Sequence, residues 1–436
     1  MIGYFDEFIN YLTNAGWEKI FRIFWFFFLF EFFRFFIVDF TMLLLWRIKA
    51  KSRKQQRIEA HKILMEKQPL ISIIVPGKNE GKHLYKLVKS LEEQTYQNFE
   101  LIVVDDGSDD QTELIGRTLE KNGLIKYFFR NDVRGGKASA ANFGLRYCKG
   151  EIVVHLDADC SYDRDAIENI ILPFYWDEKI GAVGGNVQVR NFRDSLCATL
   201  QAVEYTDTIS IGRIATSELG IYRVISGAFG AFRKTALERV GGWDIGPGLD
   251  GDITVKVRKL NYKIYFEPSA VCQTSVPVNF RTLIKQRLRW DKSLIRFRLR
   301  KHNDVFFPTQ SFKFSNFFSF LENVTYNLIL NLKWIFYILD MAINFTSYLW
   351  FIIPMNIFIY TTNNYLKYFV FSFFRDRKNE AVGYFLVYLP CMVFYFGYFL
   401  RIVRSIAYFQ ELVYRASYND PWNPQKTSRH AKILKI

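Results

Sequence analysis

The sequence predicts an α/β fold with a parallel sheet, bracketed by apolar helices long enough to cross a bilayer. Three observations carry this. From about Leu70 to His302, short apolar β-branched runs alternate with helical stretches, the spacing of strands joined by right-handed crossovers. On either side the chain turns into long Phe- and Tyr-rich segments, the composition expected where lipid is the solvent. Arginine and lysine crowd the borders between the two textures, at Arg47 to Arg57 and Lys285 to Lys301.

Taken in order, residues 1–16 form an amphipathic lead-in and Ile20 to Trp46 one membrane-crossing helix. Within that helix Glu31 and Arg34 are spaced to pair on one face. The basic stretch after Trp46 is its cytoplasmic flank. A strand follows at Ile71–Val75, ended by Pro76-Gly77, then a helix over His83–Gln94 and a strand over Phe99–Val104. A helix from Asp110 to Gly123, a strand around Tyr127, a helix over Lys137–Cys148 and a strand over Ile152–Leu156 complete the regular half. Later strands at Ala182–Val189, Val224–Phe232 and Lys263–Phe266 make the sheet mixed.

Phe280 to Lys301 is a basic amphipathic helix, suited to lie in the membrane interface. Apolar segments then run over Phe318–Phe345, Tyr348–Phe374 and Val382–Tyr408, the last two separated by a basic cytoplasmic turn at Arg375-Asp376-Arg377-Lys378. Counting these spans puts the tail outside, whereas Arg415, Lys426, Arg429, Lys432 and Lys435 favour the inside. The expected units are residues 1–69, 70–302 and 303–436.

The net charge of +15 lies mostly beside the apolar ends, which assigns it to an anionic leaflet and not to nucleic acid, since no recognition module accompanies it. It also suits an acidic nucleotide. Five cysteines without paired spacing and five scattered histidines exclude a zinc pattern and predict reduced thiols. Residues 17–46 are too long and too interrupted by charge for a cleavable signal peptide.

The candidate chemistry gathers at strand ends, where open α/β sheets bind ligands. Glu80, in Val75-Pro76-Gly77-Lys78-Asn79-Glu80, could meet a ribose; a polar turn is an equal alternative. Asp105 and Asp106, before Gly107-Ser108, need a partner once buried, and a base or ribose donor is one. Lys137, after Gly135-Gly136 and near Asn142, can face a phosphate. Asp157-Ala158-Asp159 offers two hard carboxylates to Mg2+ or Mn2+, an ion that would neutralise a departing diphosphate. Asp250, in a loop of glycines with Pro247, is placed to take a proton, while Asp252 can cap the helix that follows. Gln286, Arg289 and Trp290 share a helical face where arginine can meet diphosphate and tryptophan a sugar. Asn327, Asn331, Lys333 and Asp340 are polar groups inside apolar segments, facing either a sugar channel or one another.

Together these residues are the parts of a sugar-nucleotide-dependent transferase. From Ser72 to Ser293 the chain resembles the processive membrane glycosyltransferases of family 2, the cellulose, chitin, hyaluronan and poly-N-acetylglucosamine synthases. Gln286 to Trp290 matches their QxxRW signature, and Ser226-Gly227-Ala228-Phe229-Gly230 and Gly241-Gly242-Trp243 resemble their acceptor-side loops.

The resemblance implies a GT-A catalytic domain facing the cytosol of a plasma-membrane, multi-pass hexosyltransferase. It implies a UDP-sugar donor held by Glu80, Asp105, Asp106, Lys137, Asp157, Gln286 and Arg289, with metal on Asp157 and Asp159 and Asp250 as base. A growing polysaccharide would lie on Ser226, Gly227, Trp243 and Trp290 and be exported through the bilayer. Relatives usually read Glu-Asp at the base, whereas Leu249 precedes Asp250 here. That departure tilts the expected product from an aminosugar polymer to a β-glucan, possibly of mixed linkage. No FxVTxK-type loop follows Trp290, and the residues after Tyr408 are too few for a cyclic-dinucleotide-binding barrel, so neither control is expected. The alternatives are a UDP-N-acetylglucosamine polymer synthase of the hyaluronan, chitin or poly-N-acetylglucosamine type, and a transferase that glycosylates a lipid carrier once.

Overall fold

The structure is a computed structural model that describes residues 2–14, 17–244, 246, 248–308, 312–374 and 382–418. The Arg375 to Lys378 turn and the tail lysines 426, 432 and 435 with Arg429 lie outside the described residues. Compactness divides the chain into Met1–Arg47 with Leu321–Ile406, and Ile48–Phe320 with Ala407–Ile436.

The second unit is built on one sheet of β1 (Ile71–Gly77), β2 (Phe99–Asp105), β3 (Tyr127–Arg130), β4 (Ile152–Leu156), β5 (Ser161–Tyr162), β6 (Ile180–Val189), β7 (Phe229–Arg233) and β8 (Lys263–Thr274). Their order is β3-β2-β1-β4-β7-β6-β8-β5. β1 pairs in parallel with β2 on one edge and β4 on the other. The topology therefore reverses at β1, and crevices that bind ligands open at such switch points. β7 is antiparallel to both β4 and β6, which makes the sheet mixed as expected.

β1, β2 and β4 are apolar runs buried on both faces, the signature of a parallel sheet covered by helices. Gly116 shows how closely one cover lies: a Cβ there would come 2.0 Å from the Phe128 ring. The expected Val224–Phe232 strand shortens to Phe229–Arg233, because Ser226 to Ala228 are diverted into the site.

The basic helix begins at Asn279, whose side chain accepts from Thr282 N at 2.9 Å, and runs helically to Lys301. Three of its arginines have partners within the protein. Arg287 pairs with Glu204 at 2.8 Å and Arg300 with Glu411 at 2.8 Å, while Arg296 lies 4.2 Å over the Tyr418 ring. These cations are turned to the protein's own acids and rings.

In the apolar unit the expected Glu31–Arg34 pair is likewise corrected. Arg34 binds Asp39 at 2.6 Å and Glu322 at 2.8 Å, and Glu31 meets Arg401. Each reaches a partner outside its own turn, which compensates both charges better than one local contact. Asn331 donates to Ser405 at 2.6 Å, Asn327 to the Asn323 carbonyl at 3.1 Å, and Asp340 pairs with Arg22 at 2.7 Å. Lys333 lies 5.8 Å over the rings of Trp25 and Phe30. Lys333 and Asp340 thus meet N-terminal residues, while Asn327 and Asn331 meet a carbonyl of their own helix and Ser405; these contacts do not pair the four with one another.

Among the described residues, Phe314–Asn344 and Cys391–Tyr414 are helices long and apolar enough to cross a membrane. The helical run from Trp17 to Ile48 carries Glu31, Arg34 and Asp39 in its middle. The expected Val382–Tyr408 segment is interrupted before Cys391, where Pro390 withholds a backbone donor.

Candidate active site

β4 ends at Leu156, paired with Phe229, so the next residue on each strand brings Asp157 beside Ala228. Asp157 N donates to the Ala228 carbonyl at 3.4 Å, and the Tyr162 hydroxyl reaches the carbonyls of both. One residue earlier, Gly227 N donates to the Asp250 carboxylate at 2.9 Å. A single loop thus joins the DxD strand to the first turn of the Leu249–Lys259 helix. The Lys137 ammonium sits on the Asp157 carboxylate.

Asp250 titrates above the usual carboxylate range because burial disfavours its charge, against the opposing pull of Lys137 and the Gly227 N–H. A carboxylate made more basic in this way suits a proton acceptor. Gly248 brings the same turn against the basic helix. With φ of +85° and no side chain, its backbone approaches Ser293 so closely that a Cβ would lie 2.4 Å from that residue's Cβ.

Glu80 follows β1, and its acid is pushed up to about 7, by burial first and then by Asp159 and Asp157. Asp159 is raised by burial and by Asp157. Three carboxyl groups therefore press on one another beside Lys137. That excess of hard oxygen and negative charge fits Mg2+ or Mn2+. Among the described residues no group of three His, Cys, Asp or Glu side chains is arranged to hold a metal ion.

Asp105 and Asp106 both find partners inside the protein. The Asp105 side chain is 0% exposed; it accepts from Ser108 N at 2.9 Å and from Arg130 at 3.1 Å. Asp106 accepts from Gly135 N and Gly136 N, each at 2.8 Å, and so shapes the loop that presents Lys137. Trp243, expected on the acceptor, is 3% exposed and packs on His155 and Phe232. Its backbone is clamped by the Asn142 amide at 2.7 and 2.9 Å. Burial makes it a core residue.

Ser226 Oγ receives Ala228 N at 3.4 Å and braces the loop. On the basic helix Trp290 is 40% exposed, with Arg287 stacked 4.7 Å over its ring. Gln286 Oε1 is buried without a hydrogen-bond partner among the described residues, and Arg289 precedes Trp290 on the same helix.

A family model described as Glycosyl transferase family 2 matches residues 72–241. A poly-beta-1,6-N-acetyl-D-glucosamine synthase of Staphylococcus epidermidis is 34% identical over 307 residues, covering 70% of this chain and 69% of the relative. The chain belongs to glycosyl transferase family 2. The enzyme of the same name from Staphylococcus aureus is 35% identical over 223 residues, 50% of this chain and 53% of that one. A family 2 glycosyltransferase is expected to share the fold of known sugar transferases, and one solved structure does so. It is a mannosyltransferase from Pyrobaculum calidifontis in complex with GDP-Man and Mn2+, at TM-score 0.53 and 21% identity, covering 79% of this chain and 87% of that one. The likeness gives this glycosyltransferase a GT-A-like mixed α/β fold.

Sequence reasoning missed four residues of this glycosyltransferase. His155 donates from Nδ1 to the Gly227 carbonyl at 2.6 Å, and Arg130 holds Asp105. Arg287 and Glu204 form a bidentate pair, both bonds 2.8 Å. A glutamate closing the apolar run Leu196–Tyr205 was the available signal for the last pair, since an acid there needs a cation. The histidine inside the β4 run was a similar signal.

Proposed function

We propose that this glycosyltransferase polymerises N-acetylglucosamine from UDP-N-acetylglucosamine into a β-1,6-linked chain. The observation that carries the reading is the match across 69% of a poly-beta-1,6-N-acetyl-D-glucosamine synthase. This corrects the tilt toward a β-glucan, which rested on Leu249 alone. The relatives' name favours the aminosugar, and the base aspartate itself is retained.

In the proposed reaction Asp250 takes the proton of the acceptor hydroxyl as that oxygen attacks the anomeric carbon. The bond to UDP breaks on the opposite face, which inverts the configuration. Asp157 and Asp159 would hold Mg2+ or Mn2+, which when bound supplies charge neutralisation to the diphosphate. Lys137, now on Asp157, adds a second cation beside it. Glu80 lines the donor side, with Gln286 and Arg289 toward the diphosphate. Asp105 and Asp106 act on the donor through the loops they shape. Gly227 and Ser226 border the acceptor, and exposed Trp290 offers it a stacking face. The apolar helices suit a membrane enzyme whose catalytic unit faces the cytosol, the compartment of nucleotide sugars.

The test is purified full-length protein supplied with UDP-N-acetylglucosamine or UDP-glucose and Mn2+ or Mg2+, followed by linkage analysis. The expected product is a β-1,6 polymer from the aminosugar donor, lost in excess chelator and in Asp157→Asn. Polymer made from UDP-glucose in its place would overturn the sugar assignment. A lipid bearing one sugar would overturn polymerisation.

A further inference from the structure

β4 delivers more to the site than Asp157. His155, two residues earlier, is 2% exposed, with the Trp243 ring 5.4 Å away. Its Nδ1 lies 2.6 Å from the Gly227 carbonyl oxygen. A carbonyl only accepts, so Nδ1 carries the hydrogen, and Nε2 is left as a bare lone pair. That Nε2 is buried without a hydrogen-bond partner among the described residues. An unsatisfied buried acceptor destabilises the fold. A leucine in this apolar strand would avoid the cost, so the gain must lie at Nδ1.

Gly227 is a hinge between two peptide planes. The carbonyl on one side takes the His155 hydrogen bond; the N–H on the other donates to Asp250 at 2.9 Å. A Cβ at this position would come 2.6 Å from the Asp250 carboxylate and push it aside. The neighbours are held independently: the Ala228 carbonyl by Asp157 N and Tyr162, the Ala228 N–H by Ser226 Oγ. At residue 227 itself His155 holds the carbonyl and Asp250 receives the N–H.

We propose that His155 is a positioning residue for the catalytic base: by holding the Gly227 carbonyl it aims the Gly227 N–H at Asp250 and fixes that carboxylate toward the acceptor. The proposal rests on the assignment of Asp250 as base. His155 touches neither sugar. Its contribution is to orientation, where a displacement of about 1 Å can cost a hundredfold in rate.

The experiment compares full-length wild type with His155→Leu, His155→Asn, His155→Gln and Asp250→Asn. The readouts are steady-state kinetics with UDP-N-acetylglucosamine, binding of UDP and thermal melting. His155→Leu is expected to lower kcat roughly tenfold or more, with KM for the donor and UDP affinity unchanged. His155→Asn places an amide N–H where Nδ1 stood and should recover most of kcat. His155→Gln, whose amide reaches the Nε2 position, should not. Full kcat in His155→Leu, or equal activity in the Asn and Gln variants, overturns the proposal. If His155→Leu fails to bind UDP, the Asn–Gln contrast decides alone. Wild-type turnover by Asp250→Asn would remove the base assignment itself, an outcome separate from any behaviour of the histidine variants.

Discussion

Asp250 and Asp252 share the first turn of the Leu249–Lys259 helix but meet different surroundings. Asp250 faces the Gly227 loop and Lys137. Asp252 is fully buried, bonded to His302 Nε2 at 2.8 Å and Lys301 at 2.7 Å. Asp250→Asn is expected to leave UDP binding intact and slow the chemical step by roughly a hundredfold. Asp252→Asn should act on stability, by about 2 kcal/mol, the scale of a charge-assisted hydrogen bond lost in the interior. Melting curves and single-turnover rates separate the two; a crippled chemical step in stably folded Asp252→Asn would mean the base is misassigned. Burial alone would raise the Asp252 acid, yet His302 and Lys301 bring it below the usual value. A depressed carboxylate stabilises above its unfolded pKa of about 3.9 and loses that stabilisation as pH falls through the folded value. The variant's stability should therefore fall less in acid than the wild type's. At this scale Glu80, Asp157, Asp159 and Asp250 stand out in the sequence, because acids after apolar strands or glycine turns announce themselves. It was silent on the partners of Asp105 and Trp243, because Arg130 and Asn142 come from distant segments that no local pattern reveals.

The Leu196–Tyr205 helix and the basic helix are joined by one bidentate contact between Glu204 and Arg287, both nearly buried. Arg287 also lies over Trp290, so the contact orders the aromatic face proposed for the acceptor. Glu204→Ala should lower stability by about 3 kcal/mol, since removing one partner of a buried pair leaves the other's charge exposed to a poor environment. Adding Arg287→Leu should return part of that loss. A double-mutant cycle in thermal melting measures the coupling, and strict additivity would show that the pair does not join the helices. Strand alternation made β1, β2 and β4 legible in the sequence almost to the residue. β7 was less so, because an antiparallel strand inserted beside β4 depends on a pairing some 80 residues away in the chain, and strand periodicity carries no address. The same limit hid the partners of the basic helix: its arginines look alike until Glu204 and Glu411 stand opposite two of them.

For the whole molecule, composition separated apolar ends from a globular middle, but the pairing of Glu31 with Arg401 and Arg34 with Glu322 needed segments hundreds of residues apart. Charges compensated in this way lower the penalty of placing them in lipid. The protein is expected to stay in the membrane pellet through an alkaline carbonate wash, and full release would argue that no helix crosses the bilayer. With donor added outside sealed, cytosolic-face-out vesicles, polymer should collect in the lumen, protected from added glycanase; complete digestion from the donor side would leave a transferase without export. One feature of the sheet bears on how the chain is made. β4 is held on one side by β1, already synthesised, and on the other by β7, which is not. At about 5–20 residues per second on the ribosome, that second edge waits on the order of ten seconds for its partner. During this interval an apolar strand offers unpaired amides and carbonyls to any neighbouring nascent chain. A translational pause between β4 and β7 should therefore harm yield far more than one placed after β7, although the finished sequence would be identical.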